Sequence, residues 1–182
     1  MRGRPLALLL AAGVAASACS GGTPASVPST TRAPKPAGVL PSPISVQVCS
    51  KEAQREMASA LGEAARVSTP TWVDHRYACT YDYPTSTPAG SFEVSVKELS
   101  NWSETSAYYD ALASRLGKAR DLESLGQAAF QATDGSVVVR KDWKVLLVDD
   151  TGVPPQFGVP PTSASAVTFT VADVILGCWA GD

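Results

Sequence analysis

Apolar and polar residues follow a helical period first and a strand period afterwards. In residues 50–67 apolar side chains recur every three or four positions, and Ser50 followed by Glu52 is typical of a helix start, so we predict a helix there. Residues 71–83 and 91–99 alternate between apolar and polar positions, which is typical of strands. The turn residues between these two stretches predict a hairpin.

A second helix is predicted directly after this hairpin. It begins at Ser100 or Asn101, because Asn101 followed by Glu104 has the spacing of a capping box. Leu112 belongs to its apolar stripe, and Gly117 is predicted to end it.

The clearest strand pattern follows the second helix. Two tight-turn sequences, the first of them Asp134-Gly135, separate the stretches 128–132, 137–141 and 144–148. These stretches predict a meander of three strands.

The C-terminal part of the chain combines a loop with an ambiguous apolar segment. Residues 152–161 hold four prolines and two glycines and are predicted to form an irregular loop. Beyond them, Val167 and Val171 suit a helix, but together with Phe169 they also suit a strand. We choose a helix, because the apolar pattern is longer than most strands and ends at Gly177.

Together these elements predict a single α+β domain in residues 46–182. The expected architecture is one antiparallel sheet of about five strands, with two or three helices packed on a face of it. The length of this region suits one compact domain and is short for two.

The N-terminal part of the chain is predicted not to belong to this domain. Residues 1–18 have the order of an export signal, with two arginines, an apolar stretch too short to span a bilayer, and small residues before Cys19. Residues 19–45 contain six prolines and only isolated apolar side chains, so we predict a disordered linker.

The residues before Cys19 resemble a known processing site. Ala16-Ser17-Ala18-Cys19 is similar to the lipobox of bacterial lipoproteins, with Ala16 where that motif more often has leucine. The resemblance implies that Cys19 carries a diacylglycerol and that the domain is extracytoplasmic, anchored to the cell membrane by this lipid. The alternative is an ordinary secretory signal cut near Ala18, which leaves Cys19 as a free or paired thiol.

The charge of the chain bears on its partners. There are 17 acidic and 15 basic residues, giving a formal net charge of −2. A mildly acidic chain without a basic cluster has no electrostatic footprint for nucleic acid, so we expect no nucleic-acid partner. Attachment to a membrane would depend on acyl chains, which contribute roughly 0.8 kcal/mol per buried CH₂.

Three further cysteines lie in the predicted domain, and an exported protein meets oxidising conditions. A helix from Ser50 would rise about 25 Å, and the following strand would return about 30 Å, bringing Cys79 back to the level of Cys49. We therefore predict a Cys49–Cys79 disulfide, with Cys49–Cys178 as the alternative.

His75 is the one histidine, so a Ser-His-Asp or Cys-His hydrolase would have to use it. Its place in an alternating stretch favours a structural role. The sequence shows no CxxC pair, phosphate-binding loop or nucleophile elbow. We expect neither a metal nor a cofactor, and we assign no catalytic residue.

Seven aromatic residues allow two interpretations, a ligand groove or part of the hydrophobic core, of which we favour the core. They are Trp72, Tyr77, Tyr81, Tyr83, Tyr108, Tyr109 and Trp143.

Several short motifs resemble a group of small actinobacterial lipoproteins and secreted proteins of unknown function. These motifs are a cysteine opening the first helix, a second in YACTY, and LGQAAF before DGSVVVRKDWKVLLVD. The resemblance implies a lipobox, a helix-to-strand disulfide and an α+β fold, but no catalytic residues. We therefore expect a non-enzymatic module that binds an unknown envelope ligand or protein partner. The alternative is a cell-envelope hydrolase that uses His75.

Overall fold

The computed structural model describes residues 33–179. Its helices are α1 (Pro43–Gln47), α2 (Lys51–Leu61), α3 (Trp102–Leu116) and α4 (Ala164–Gly177). Its strands are β1 (Arg66–Val67), β2 (Thr71–Val73), β3 (Arg76–Tyr83), β4 (Gly90–Glu98), β5 (Lys118–Asp121), β6 (Ala128–Ala132), β7 (Val137–Lys141), β8 (Lys144–Gly152), β9 (Gln156–Phe157) and β10 (Thr162–Ser163).

Eight of these strands form one antiparallel sheet. Their order is β1-β3-β4-β8-β7-β6-β5, and β2 also pairs with β3. β9 and β10 form a separate two-stranded sheet. The predicted α+β class is confirmed, but the main sheet has eight strands in the described part of the chain, where the sequence predicted about five.

Helices pack on both faces of the sheet, whereas the sequence predicted helices on one face. In β7, Val137 and Val139 belong to the core beneath α2 and α4, and Val138 belongs to the core beneath α3. A strand whose successive side chains are all apolar is buried on both faces. The unbroken apolar run in β7 was therefore the signal for a second helical layer.

The first predicted helix is shorter than expected. Ser50 caps α2 as predicted, because its Oγ accepts a hydrogen bond from the amide nitrogen of Ala53 at 3.1 Å. The helix ends at Leu61, since Gly62 takes a left-handed conformation with φ 71°. Farther along, Arg66–Val67 leaves the helical path and pairs with β3.

The alternating stretch 71–83 is a hairpin and not the single strand that was predicted. Asp74 and His75 have φ values of 49° and 56° and form the tight turn between β2 and β3. A two-residue turn with both φ values positive matches the twist of a hairpin, and aspartate tolerates this conformation well. Alternation alone does not distinguish one strand from two that are joined by such a turn.

The central part of the chain follows the prediction closely. The side-chain Oδ1 of Asn101 accepts a hydrogen bond from the Glu104 amide at 2.9 Å and caps α3. The meander β6-β7-β8 is confirmed, with β8 extended to Gly152. The sequence did not predict β5, because all four of its residues are exposed and it has no apolar alternation.

The C-terminal helix is confirmed as α4. It is buried through Val167, Val171 and Ile175, among others, and it packs against α2 and the sheet. The loop predicted before it contains the short strand β9, whose Phe157 is buried against Tyr83. None of the helices in residues 33–179 is long and apolar enough to cross a membrane.

Candidate functional site

The predicted disulfide is present. Cys49 and Cys79 are bonded with their Cα atoms 6.1 Å apart, which joins the chain just before α2 to β3. The predicted pairing is therefore confirmed, although Cys79 arrives on the second strand of a hairpin and not on one returning strand. Cys178 caps the end of α4 and takes no part in this disulfide. Cys19, the predicted lipidation site, lies outside the described residues.

His75 lies in the exposed turn between β2 and β3, so its predicted place within a strand is wrong. Its Nδ1 is 3.0 Å from the carbonyl oxygen of Gly38, and its ring meets the edge of Trp72 at 5.7 Å between centroids. Neither partner is an acid or a nucleophile, and a general base needs both beside it. The geometry gives the hydrolase hypothesis no support.

The seven aromatic residues do not converge on one groove. Tyr81 and Tyr83 are fully buried under α2 and α4, and the Tyr81 ring stacks on Phe92 at 5.3 Å. Burial raises the pKa of both tyrosines. Tyr109 lies on the opposite face of the sheet, where it meets Phe130 edge to face. The core interpretation is confirmed for these three tyrosines.

A cleft of about 510 Å³ lies between the edge strand β5 and the first turns of α4. Cavities of this size hold small ligands, and an apolar surface with a few placed polar groups is typical of them. The lining residues are Arg120, Asp121, Leu122, Glu123, Ser163, Ser165, Ala166, Phe169 and Thr170.

Arg120 is held in a fixed orientation at this cleft. Its Nε and Nη2 both donate to the Oε1 of Gln131, at 3.0 and 2.8 Å. Gln131 is buried, and its Nε2 donates in turn to the carbonyl oxygens of Gly135 at 3.1 Å and Ser165 at 2.9 Å. The amide is therefore a bridge that ties β6, the following turn and α4 to the guanidinium group.

This network has a signal in the sequence that our prediction did not use. Gln131 is a polar residue between Phe130 and Ala132 in a strand that is otherwise apolar. A buried amide needs hydrogen-bond partners, so a lone glutamine within such a strand indicates a polar network.

A second feature lies at the end of β4, where residues 35–42 form what we call the N-terminal strap. The Ala37 amide donates to the carbonyl oxygen of Leu99 at 3.1 Å. The Ser42 amide donates to the buried carboxylate of Glu98 at 2.7 Å, and the Ser45 hydroxyl donates to the same oxygen at 2.5 Å. The first contacts with the sheet thus come before Val46, the predicted start of the domain.

Metal binding has no candidate site in the described part of the chain. Within residues 33–179, no group of three or more histidine, cysteine or carboxylate side chains could hold a metal ion. Comparison of the whole chain with protein-family models, with curated proteins and with solved structures finds no match.

Proposed function

We propose that this chain is a membrane-anchored bacterial lipoprotein, attached through Cys19, and that its domain is a non-enzymatic binding module of the cell envelope. The export-signal pattern and the small residues before Cys19 support the anchor. The cleft between β5 and α4 supports the binding role. The single observation that carries this role is an oriented guanidinium group beside apolar side chains in an open cleft.

The chemistry of the cleft favours a ligand that combines an apolar group with a hydrogen-bond acceptor. Arg120 has five N–H groups and uses only those on Nε and Nη2 to bind Gln131, so others remain to donate. Phe169 offers an apolar contact surface beside them. Asp121 and Glu123 also line the cleft, and their charges disfavour a ligand with several negative charges.

The anchor is tested by the mass of the N-terminal peptide of the chain extracted from membranes. We expect a mature N-terminus at Cys19 that carries a diacylglyceryl group, and we expect Cys19→Ser to lack both the lipid and the cleavage. A mature wild-type chain whose Cys19 thiol is unmodified would refute the anchor.

The binding role is tested by native mass spectrometry of the purified mature chain. Ala166→Trp places a large side chain in the cleft, whereas Ala111→Trp makes the same change at an exposed position of α3, on the other face of the sheet. We expect a co-purified ligand with the wild type and Ala111→Trp, and its loss with Ala166→Trp. Equal retention by both variants, or no ligand on the wild type, would remove the support for this role.

A further inference from the structure

We infer that the end of the domain bearing the N-terminal strap contacts the membrane surface, with Val39 and Leu40 inserted among the lipid headgroups. The orientation of the domain in this inference rests on the proposed lipid anchor at Cys19. The surface itself is defined by the described residues, and it is separate from the cleft between β5 and α4.

Three apolar side chains are displayed at this end of the domain, and we call them the apolar tip. Val39 is 90% exposed, Leu40 76% and Val73 63%. Single exposed apolar residues are ordinary on protein surfaces, but neighbouring exposed aliphatic residues indicate an interaction surface. The strap and the β2-β3 hairpin bring these three residues to the same end of the sheet.

The tip is held in place by its backbone, which leaves its side chains available. The Trp72 Nε1 donates to the carbonyl oxygen of Val39 at 2.9 Å, and His75 Nδ1 is 3.0 Å from the carbonyl oxygen of Gly38. The side chain of Leu40 therefore projects from a fixed bend. Such pre-organisation lowers the entropic cost of inserting it into another phase.

The linker from the proposed anchor enters the domain next to the strap, so this end of the domain is the one joined to the membrane. Residues 20–32 lie between Cys19 and the first described residue, Ala33. Even a fully extended chain of this length spans no more than about 50 Å. A domain of this size is itself about 40 Å across. The linker can therefore be longer than the domain is wide, and the strap is the part of the domain that lies closest to the anchor along the chain.

Charge and shape at this end also suit a lipid surface. Lys35 is exposed on the strap, and Lys97 donates through Nζ to the backbone carbonyl of Asp74. The two ammonium groups favour anionic headgroups, whereas the exposed carboxylate of Asp74 opposes them. Protruding aliphatic side chains insert between headgroups without a matching pocket, which a protein partner would have to supply.

The test is flotation of the unlipidated mature chain, residues 19–182 with Cys19→Ser, with vesicles of phosphatidylglycerol. This chain has neither an acyl group nor the apolar stretch of residues 1–18, so its partitioning reports the apolar tip and not the anchor or the signal. We expect it to bind, and we expect the additional pair Val39→Ser and Leu40→Ser to lower the partition coefficient by about tenfold or more. Val159→Ser is the matched control, since Val159 is an aliphatic residue that is 61% exposed in another loop. This control should float like its parent.

Three results would overturn the inference. They are no flotation of the Cys19→Ser chain, an equal loss with Val159→Ser, and self-association in sedimentation that the Val39→Ser and Leu40→Ser pair removes. The last result would assign the tip to a second copy of the chain. If any of these three results is obtained while wild-type Cys19 carries its lipid, the membrane contact is refuted and the anchor stands. If Cys19 is unmodified and flotation is as expected, only the anchor is refuted.

Discussion

The side chain of Asp150 on β8 lies directly against the backbone of Gly135 in the turn between β6 and β7. A Cβ atom at position 135 would meet the Oδ2 of Asp150 at 1.9 Å. Gly135 also has a backbone φ of 97°, which residues with a Cβ atom rarely adopt. The Asp134-Gly135 turn predicted from the sequence is thus confirmed, and the contact with Asp150 adds a second reason for glycine.

Replacement of this glycine should destabilise the domain strongly. We expect Gly135→Ala to lower the free energy of unfolding by about 2 to 4 kcal/mol, because the Cβ strains the turn and displaces a buried carboxylate. Gly177→Ala is the control: nothing lies within 4 Å of a Cβ there, and the residue ends α4. That change should be neutral or stabilise by up to about 1 kcal/mol. Urea denaturation compares the two, and similar losses would contradict the contact.

Asp150 should make the stability of the domain depend on pH. Burial, and then the nearby carboxylates of Asp134 and Asp149, raise the pKa of Asp150 to about 6. The side chain is only 7% exposed, and its Oδ1 has no hydrogen-bond partner. The folded state therefore binds the proton more tightly than the unfolded state, whose aspartate pKa is about 3.9. This contribution to stability is complete below about pH 4 and is lost as the pH rises through about 6.

The variant Asp150→Asn isolates this effect. We expect its free energy of unfolding to exceed that of the wild type by about 2 kcal/mol at neutral pH and to match it near pH 4, since the amide stays neutral. The exposed Asp173 gives the control variant Asp173→Asn, which should shift neither value appreciably. Denaturant titrations at the two pH values measure the difference. An equal gain at both would show that the carboxylate does not titrate as described.

The disulfide should contribute substantially to stability. It closes a loop with a sequence separation of 30 residues, for which the chain-entropy relation gives about 3 to 4 kcal/mol. We expect the double change Cys49→Ala and Cys79→Ala to lower the free energy of unfolding by this amount, and a reductant to destabilise the wild type but not this variant. Cys178→Ser should keep the sensitivity to reductant. If Cys178→Ser abolished that sensitivity, the pairing would be wrong.

The bridging amide of Gln131 should matter more for folding than the guanidinium that it holds. Gln131→Leu removes the donor to the carbonyl oxygens of Gly135 and Ser165, and we expect the free energy of unfolding to fall by about 1 to 3 kcal/mol in thermal or urea unfolding. Arg120→Met should cost less than about 1 kcal/mol, because Arg120 is exposed and water replaces its contacts. The reverse order would mean that Arg120 stabilises the fold and is not kept available for a ligand.

Features that depend on neighbouring residues were predictable from the sequence. Ser50 and Asn101 cap their helices through contacts three residues away, and Asp134-Gly135 turns the chain within one hairpin. Local spacing contains the information for each of these. The Cys49–Cys79 pairing was also predicted correctly, but from a longer helix and a single returning strand, which the structure replaces with a shorter α2 and the β2-β3 hairpin.

Three features were decided by the tertiary structure alone: strand β5, the strap and the position of His75. The exposed strand β5 exists because β6 offers it a free edge, not because Lys118–Asp121 has a strand pattern. The strap was predicted as linker because its sequence is rich in proline and polar residues. Its hydrogen bonds to Glu98 and Leu99, which lie 50 or more residues away, have no signal in the local sequence. His75 lies in a turn and not in a strand because β2 pairs back on β3. The sequence by itself determined α2, α3, α4 and the turns of the β6-β7-β8 meander, because these depend on contacts along the chain. The sheet edge, the strap and the cleft needed partners that are distant in sequence, which only the folded chain brings together.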